Sequence, residues 1–169
     1  MVQITKMRLP TYEEWDRLVD ITDGANGLMH WNRIYSWCKD VQQSNMAYHS
    51  NRGFYSASTW HNNYSRSRRS AFVGFRPVIE FLGPGALPDG STVVIGTFYI
   101  DGQPVRIPKN PTYSGDIPDY IPDTKLALRA PIQDAAYQVK AIKMGNILIA
   151  DRVLIKDISL YDLYDQGIC

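Results

Sequence analysis

The chain has 169 residues, 44% of them hydrophobic, and 18 Lys and Arg stand against 17 Asp and Glu for a formal net charge of +1. That length can bury a sizeable core and suits one domain or two small ones, and the near-neutral balance points neither to a polyanion binder nor to a membrane-seeking protein. Two cysteines, Cys38 and Cys169, are too few for a disulfide scaffold and lack metal-ligand spacing; no stretch nears the about 18 apolar residues of a membrane span, and no secretory leader is expected.

Charge and composition are unevenly spread. Residues 1–80 carry 10 Lys and Arg against 7 Asp and Glu, whereas residues 81–169 carry 8 against 10. All four Trp and all three His lie in the first half, and eight of the ten Pro lie from Pro84 to Pro131. The shift predicts two modules, 1–82 and 83–169, an α+β unit followed by a small β-rich unit with a C-terminal helix.

In chain order, Thr11-Tyr12-Glu13-Glu14 forms a capping box, and Trp15, Leu18 and Val19 follow at helical spacing until Asp23-Gly24; a helix is predicted over 11–21. Residues 29–39 fit either a helix or a short strand, with Cys38 a small core hydrophobe. Residues 40–51 are polar and read as loop. Residues 71–75 look like a core strand, continued through Val78 and Ile79 as one strand over 73–79. There Gly74 marks close backbone approach and Arg76 an arginine satisfied inside the protein. Gly83-Pro84-Gly85 and Pro88-Asp89-Gly90 are turn and linker chemistry. Asp101-Gly102 between 92–100 and 103–107 is a hairpin signal.

Residues 108–123 hold four prolines and read as a long loop, with Tyr113 and Tyr120 to order it and Asp116, Asp119 and Asp123 as turn residues. A short strand is expected at 126–129, a second hairpin of 137–144 and 147–156 around Gly145-Asn146, and a last helix over 160–165 capped by Ser159. No GxGxxG, P-loop, HExxH or GxSxG motif is present. His30, His49 and His61 lack ligand spacing. No metal and no cofactor is expected, and the chain reads as non-enzymatic.

The stretch 52–80 stands apart. Its centre is almost free of aliphatic residues and offers Tyr55, Ser58, Trp60, His61, Asn62, Asn63, Tyr64, Arg66, Arg68 and Arg69. Tyr, Trp and Arg anchor interfaces, while Ser and Asn supply adaptable hydrogen bonds. These ten residues are the expected ligand-binding set.

Two separated pieces resemble a known family. Arg8-Leu9-Pro10-Thr11 followed by Glu14-Trp15 resembles the opening signature of the formylglycine-generating-enzyme type of C-type-lectin fold. Arg52-Gly53, Trp60, an Arg/Ser-rich run and Val73-Gly74-Phe75-Arg76 are similar to its closing segment. The same pieces occur in retroelement-diversified variable proteins of phages and bacteria, where the segment before the Gly-Phe-Arg is the variable, ligand-binding region. The resemblance covers residues 6–82 and implies a C-type-lectin-like domain. It also implies a phage or prophage origin and a place in the host cytoplasm or on a virion. The enzymes of that type use a cysteine pair, and the matching region here holds only Cys38, so no catalytic role is carried over.

The resulting expectation is a binding protein with a protein or glycan partner and no membrane. The alternative is an inhibitor of a host nucleic-acid enzyme or defence complex, such as a CRISPR nuclease. It would act through the basic patch of Arg52, Arg66, Arg68, Arg69 and Arg76, with nucleic acid a less favoured partner.

Overall fold

The computed structural model describes residues 6–42, 45–80 and 87–168, with the side chains of residues 41–49 and 62–63 outside that description. The predicted linker Gly83-Pro84-Gly85 and Cys169 also lie outside the described residues. Within them the protein is a mixed α+β structure of three α-helices and eleven strands in two sheets.

Helix α1 (Tyr12–Thr22) forms where its caps place it. Thr11 Oγ1 accepts the Glu14 amide at 3.0 Å and Glu14 Oε1 accepts the Thr11 amide at 2.9 Å, satisfying two amides that the first turn leaves unpaired. Arg8 donates twice to the same carboxylate, both bonds at 2.8 Å. That pairing lowers the Glu14 carboxyl against the upward push of its burial. Trp15 and Leu18 bury the inner face.

Helix α2 (Asn26–Met29) is one short turn, and strand β1 (Tyr35–Gln42) begins six residues later. Ile34 to Cys38 are all buried. A strand covered on both faces shows neither the alternation of a half-exposed strand nor helical spacing, which is why the pattern over 29–39 fitted both. The polar residues 40–51 are not a loop: β1 continues into them and pairs antiparallel with β2 (Asn45–Gly53), Trp37 opposite Asn51 and Val41 opposite His49. Cross-strand pairing overrides the weak strand preference of the sequence there.

The single strand expected over 73–79 is two. Strand β4 (Val73–Phe75) lies beside β1 in one sheet, and β5 (Val78–Glu80) lies beside β10 (Ile147–Ala150) in the other. Pro77, which has no amide hydrogen to give a ladder, sits at the crossing. Ala71 and Phe72 are exposed turn residues ahead of β4. Gly74 is needed at its position, because a Cβ there would stand 2.3 Å from the Ile155 carbonyl oxygen.

The remaining elements complete both sheets. The five-stranded sheet runs β11-β4-β1-β2-β3, with β3 (Trp60–Ser65) on its edge and β11 (Ile155–Lys156) at the other side. The second runs β5-β10-β9-β6-β7, with β8 (Leu126–Arg129) also on β6. Its hairpins turn where the sequence predicts, with shorter second strands: β6 (Thr92–Ile100) turns into β7 (Gln103–Pro104) through Asp101 and Gly102 at φ 50° and 76°, and β9 (Val139–Met144) turns into β10 at Gly145, φ 58°. The apolar run 147–156 is not one strand, because its end, β11, leaves β10 to pair with β4 in the other sheet. Both central residues of the first turn lie at positive φ, as a tight two-residue hairpin requires. Helix α3 (Leu160–Asp165) carries a second capping box, Ser159 with Asp162.

Pairings cross the composition boundary near residue 83. Strand β5 is bonded to β10, β11 to β4, and one hydrophobic cluster holds Leu9, Trp37 and Phe75 together with Phe98, Leu154 and Leu163. Both sides of the boundary thus share sheets and core.

Arg76 lies at the crossing, fully buried. Its Nε donates to Ser36 Oγ at 3.2 Å and its Nη2 to the His30 carbonyl at 2.9 Å. Its Nη1 donates to the carbonyls of Met29 and Ala150, and the guanidinium lies 4.9 Å from the Trp15 ring centre. Burial pulls its pKa down, and the charge of Asp151 opposes that pull. His30, at φ 39°, closes α2 and stands beside Arg152, Asp151 and Arg76. Burial first, then the Arg152 guanidinium, hold His30 down at about 4 from 6.5.

Two outcomes are expected. Replacing Arg76 by Leu leaves buried carbonyls without donors and lowers stability by about 3 kcal/mol or more; a denaturant titration of Arg76→Leu reads this, and Arg76→Lys is expected to restore only part, having no planar fork. The His30 term is present in full above about pH 6.5 and is lost as pH falls toward about 4, because the unfolded imidazole takes up a proton that the folded one refuses. Melting curves of His30→Asn between about pH 7 and pH 5 should therefore be flatter than those of the native chain. A residual slope comes from His61, which burial and Arg68 also lower.

Candidate functional site

The segment between β2 and β3 is held against the body from several sides. Trp15 Nε1 donates to the Ala57 carbonyl at 2.7 Å. Arg52, 2% exposed, stacks on Tyr12, pairs with Asp16 at 2.8 Å and donates to the carbonyls of Ser58 and Thr59. Gly53, at φ 94°, admits the close approach of Ile34 and Trp31. Phe54 is bonded on both sides, its amide to the Trp31 carbonyl and its carbonyl to the Arg33 amide, each at 2.9 Å. These two bonds hold it at φ 92°, a conformation costing a non-glycine residue of order 1–3 kcal/mol.

Phe54 is the centre of a set of ring contacts running from core to surface. It stacks on Tyr35 at 4.8 Å and on Tyr113 at 6.0 Å, and meets Tyr55 edge-on at 4.7 Å and Phe72 at 5.9 Å. Tyr35 continues inward to His61 and Tyr64, and Tyr64 to Trp37. At the outer end Tyr55 is 77% and Phe72 39% exposed. Two guanidinium groups border the set: Arg33 lies 4.7 Å from the Tyr113 ring centre and Arg68 4.2 Å from that of Tyr64. Beneath, Asn51 is fully buried, and neither its Nδ2 nor its Oδ1 makes a hydrogen bond.

The residues expected from sequence divide accordingly. Tyr55, Ser58 and Trp60 are exposed. Trp60 pairs with Arg52 and so lies on the α1 side of the sheet edge, away from the Phe54 rings. His61 and Tyr64 meet at 4.7 Å because the β2–β3 register slips between His49 and Asn51, which returns both rings to one face. Tyr64 is only 8% exposed and belongs to the core cluster, so it supports the surface from below. The side chains of Asn62 and Asn63 lie outside the described residues. Arg66 is half-buried and Arg68 is exposed. Arg69 is fixed to Asp162 by two bonds of 2.8 and 2.7 Å, raising the guanidinium pKa and holding the carboxyl low against its own burial.

The set expected from sequence does not include Arg33, Phe54, Phe72 and Tyr113. Phe72 sits in an apolar run that reads as strand. Tyr113 reads only as an ordering residue of its loop, and the signal that could raise it is Arg33, whose carbonyl bonds the Tyr113 amide and whose guanidinium bonds its hydroxyl. Among the described residues no His, Cys, Asp and Glu cluster could hold a metal ion, and no helix is long and apolar enough to cross a membrane. Cys38 is buried, and that burial raises its thiol far above the nucleophilic range.

No family model matches the chain, and no curated protein or solved structure matches it.

The division between supporting and displayed rings can be read by thermal unfolding. Tyr64→Ala is expected to destabilise by about 3 kcal/mol, as for a buried aromatic, whereas Tyr55→Ala should stay within about 0.5 kcal/mol of the native chain. Equal losses from both would place Tyr55 in the core.

Proposed function

We propose that this is a non-enzymatic binding protein that takes a protein or glycan partner on the surface formed by Tyr55, Phe54, Phe72 and Tyr113, bordered by Arg33 and Arg68. The observation that carries the reading is the strained, doubly bonded Phe54 joining buried rings to exposed ones. Exposed aromatic groups invite association unless they have a partner, and rings fixed in place before binding lose little freedom on contact. Sugar faces and protein side chains both pack on such rings, and the bordering guanidinium groups supply directional donors.

A C-type-lectin-like scaffold is part of the proposal. It is supported by the meeting in space of the two sequence pieces that resemble that fold. Arg8 and Val78 exchange both backbone bonds at 2.9 Å, and Arg76 lies on Trp15. The alternative, inhibition through a basic patch, has less to draw on. Of its five arginines, Arg76 is fully buried, Arg52 is 2% exposed and bound to Asp16, and Arg69 is bound to Asp162.

The phage setting implied by the resemblance directs the test to bacterial envelopes. Immobilised native protein is incubated with envelope extract and, in parallel, with an array of bacterial glycans, beside Tyr55→Ala/Phe72→Ala and a control, Tyr161→Ala, altered at an exposed ring elsewhere. A partner held by the native and control proteins and weakened about 30-fold or more in the double variant is expected. A partner held equally by the double variant would move the binding function off this surface.

A further inference from the structure

The segment after β7 and the turn before β9 enclose a cleft of about 440 Å³ on the six-stranded-sheet side of the protein. The recognition surface does not use it. Four cations line it, Arg106, Lys109, Lys140 and Arg152, against two carboxylates, Asp116 and Asp151.

Both carboxylates are already engaged. Asp151 accepts Arg152 Nε at 2.8 Å and Nη2 at 3.0 Å. Asp116 accepts the backbone amides of Lys109 at 2.8 Å and Asn110 at 2.7 Å. Arg152 is itself held in place, since it also reaches the Pro108 carbonyl and His30 Nε2. Arg106 lies 5.4 Å from the Tyr137 ring centre. No carboxylate pairs with Arg106, Lys109 or Lys140 among the described residues.

Asp116 keeps its charge, since its partners are neutral amides, but three cations without a carboxylate partner against it leave the concavity net positive, and an anion among them offsets that excess. Their donors suit the oxygens of a phosphoryl group, and Ile107 and Ala136 give an apolar wall beside them. The volume lies in the range of small-ligand sites. Asp134, exposed next to the turn, interrupts the positive surface that a nucleic-acid backbone would need to follow.

We propose that this cleft binds a small phosphorylated molecule, its phosphoryl group among Arg106, Lys109 and Lys140 and its organic part against Ile107 and Ala136. Occupancy does not depend on the aromatic surface.

Calorimetric titration at fixed ionic strength with inorganic phosphate, ribose 5-phosphate and free ribose tests this directly. Saturable binding of the two phosphorylated probes is expected, with none of ribose. Lys109→Ala/Lys140→Ala, altered only at exposed side chains, should weaken it about tenfold or more, while Lys125→Ala and Tyr55→Ala/Phe72→Ala leave it unchanged. The proposal is overturned by absence of saturable binding of both phosphorylated probes. Equal weakening in Lys125→Ala would overturn it too, as a mere effect of net charge, and so would undiminished affinity in the Lys109/Lys140 variant.

Discussion

A buried guanidinium is the constraint on which the rest depends. Arg76 sits where the chain leaves one sheet for the other, and its donors reach β1, the end of α2 and the end of β10 while its face covers Trp15. Only a planar group with several donors can satisfy acceptors in so many directions. An isolated buried charge is prohibitive, so the surrounding carbonyls are as necessary to Arg76 as Arg76 is to them. The order of events in the chain follows: β4 ends at Phe75 because Arg76 must turn inward, and Pro77 releases the strand to the second sheet.

That constraint extends to the surface in steps. Trp15, held beneath by Arg76, donates to the Ala57 carbonyl. Arg52 holds Ser58 and Thr59 from the α1 side. Between these ties the chain from Gly53 to Thr59 has little freedom, and Phe54 is left at positive φ. Strain of that kind persists only where the surroundings over-determine it. The exposure of Tyr55 and Phe72 is therefore a built arrangement, carried by rings that continue into the core through Tyr35, Tyr64 and Trp37.

What was legible in the sequence follows the range of the interactions involved. The two capping boxes, the Asp101-Gly102 hairpin, the close approach at Gly74 and the satisfied burial of Arg76 are set within a few residues or by one residue's own chemistry, and each is found. The strand pairing of residues 45–53 is not, since polar residues enter a sheet only when β1 and β3 lie on either side. The separation of Tyr64 and Arg69 from the displayed residues is equally non-local. One is turned inward by a register slip in β3, the other fixed by Asp162, 93 positions away. Composition singles out this stretch of chain, and distant contacts decide which of its side chains are buried or bound and which are displayed.

The same logic explains why the Pro-rich segment 108–123 is ordered. Asp116 closes its first half by accepting two amides of the loop, while its second half is bonded to β11 through the Tyr120 amide and the Lys156 carbonyl at 2.9 Å and the Lys156 amide and the Pro118 carbonyl at 3.0 Å. Prolines reduce the freedom the unfolded segment would lose, so few bonds suffice. Set in this way, the loop faces two surfaces: it presents Tyr113 to Phe54 and Phe72 on one side, and Lys109 and Asp116 to the cationic cleft on the other. A ligand in the cleft and a partner on the rings would then touch one rigid element between them. Coupling between two sites needs an element with two arrangements, and a loop bonded along its length offers one. The two surfaces are therefore expected to act independently, each positioned by the same framework.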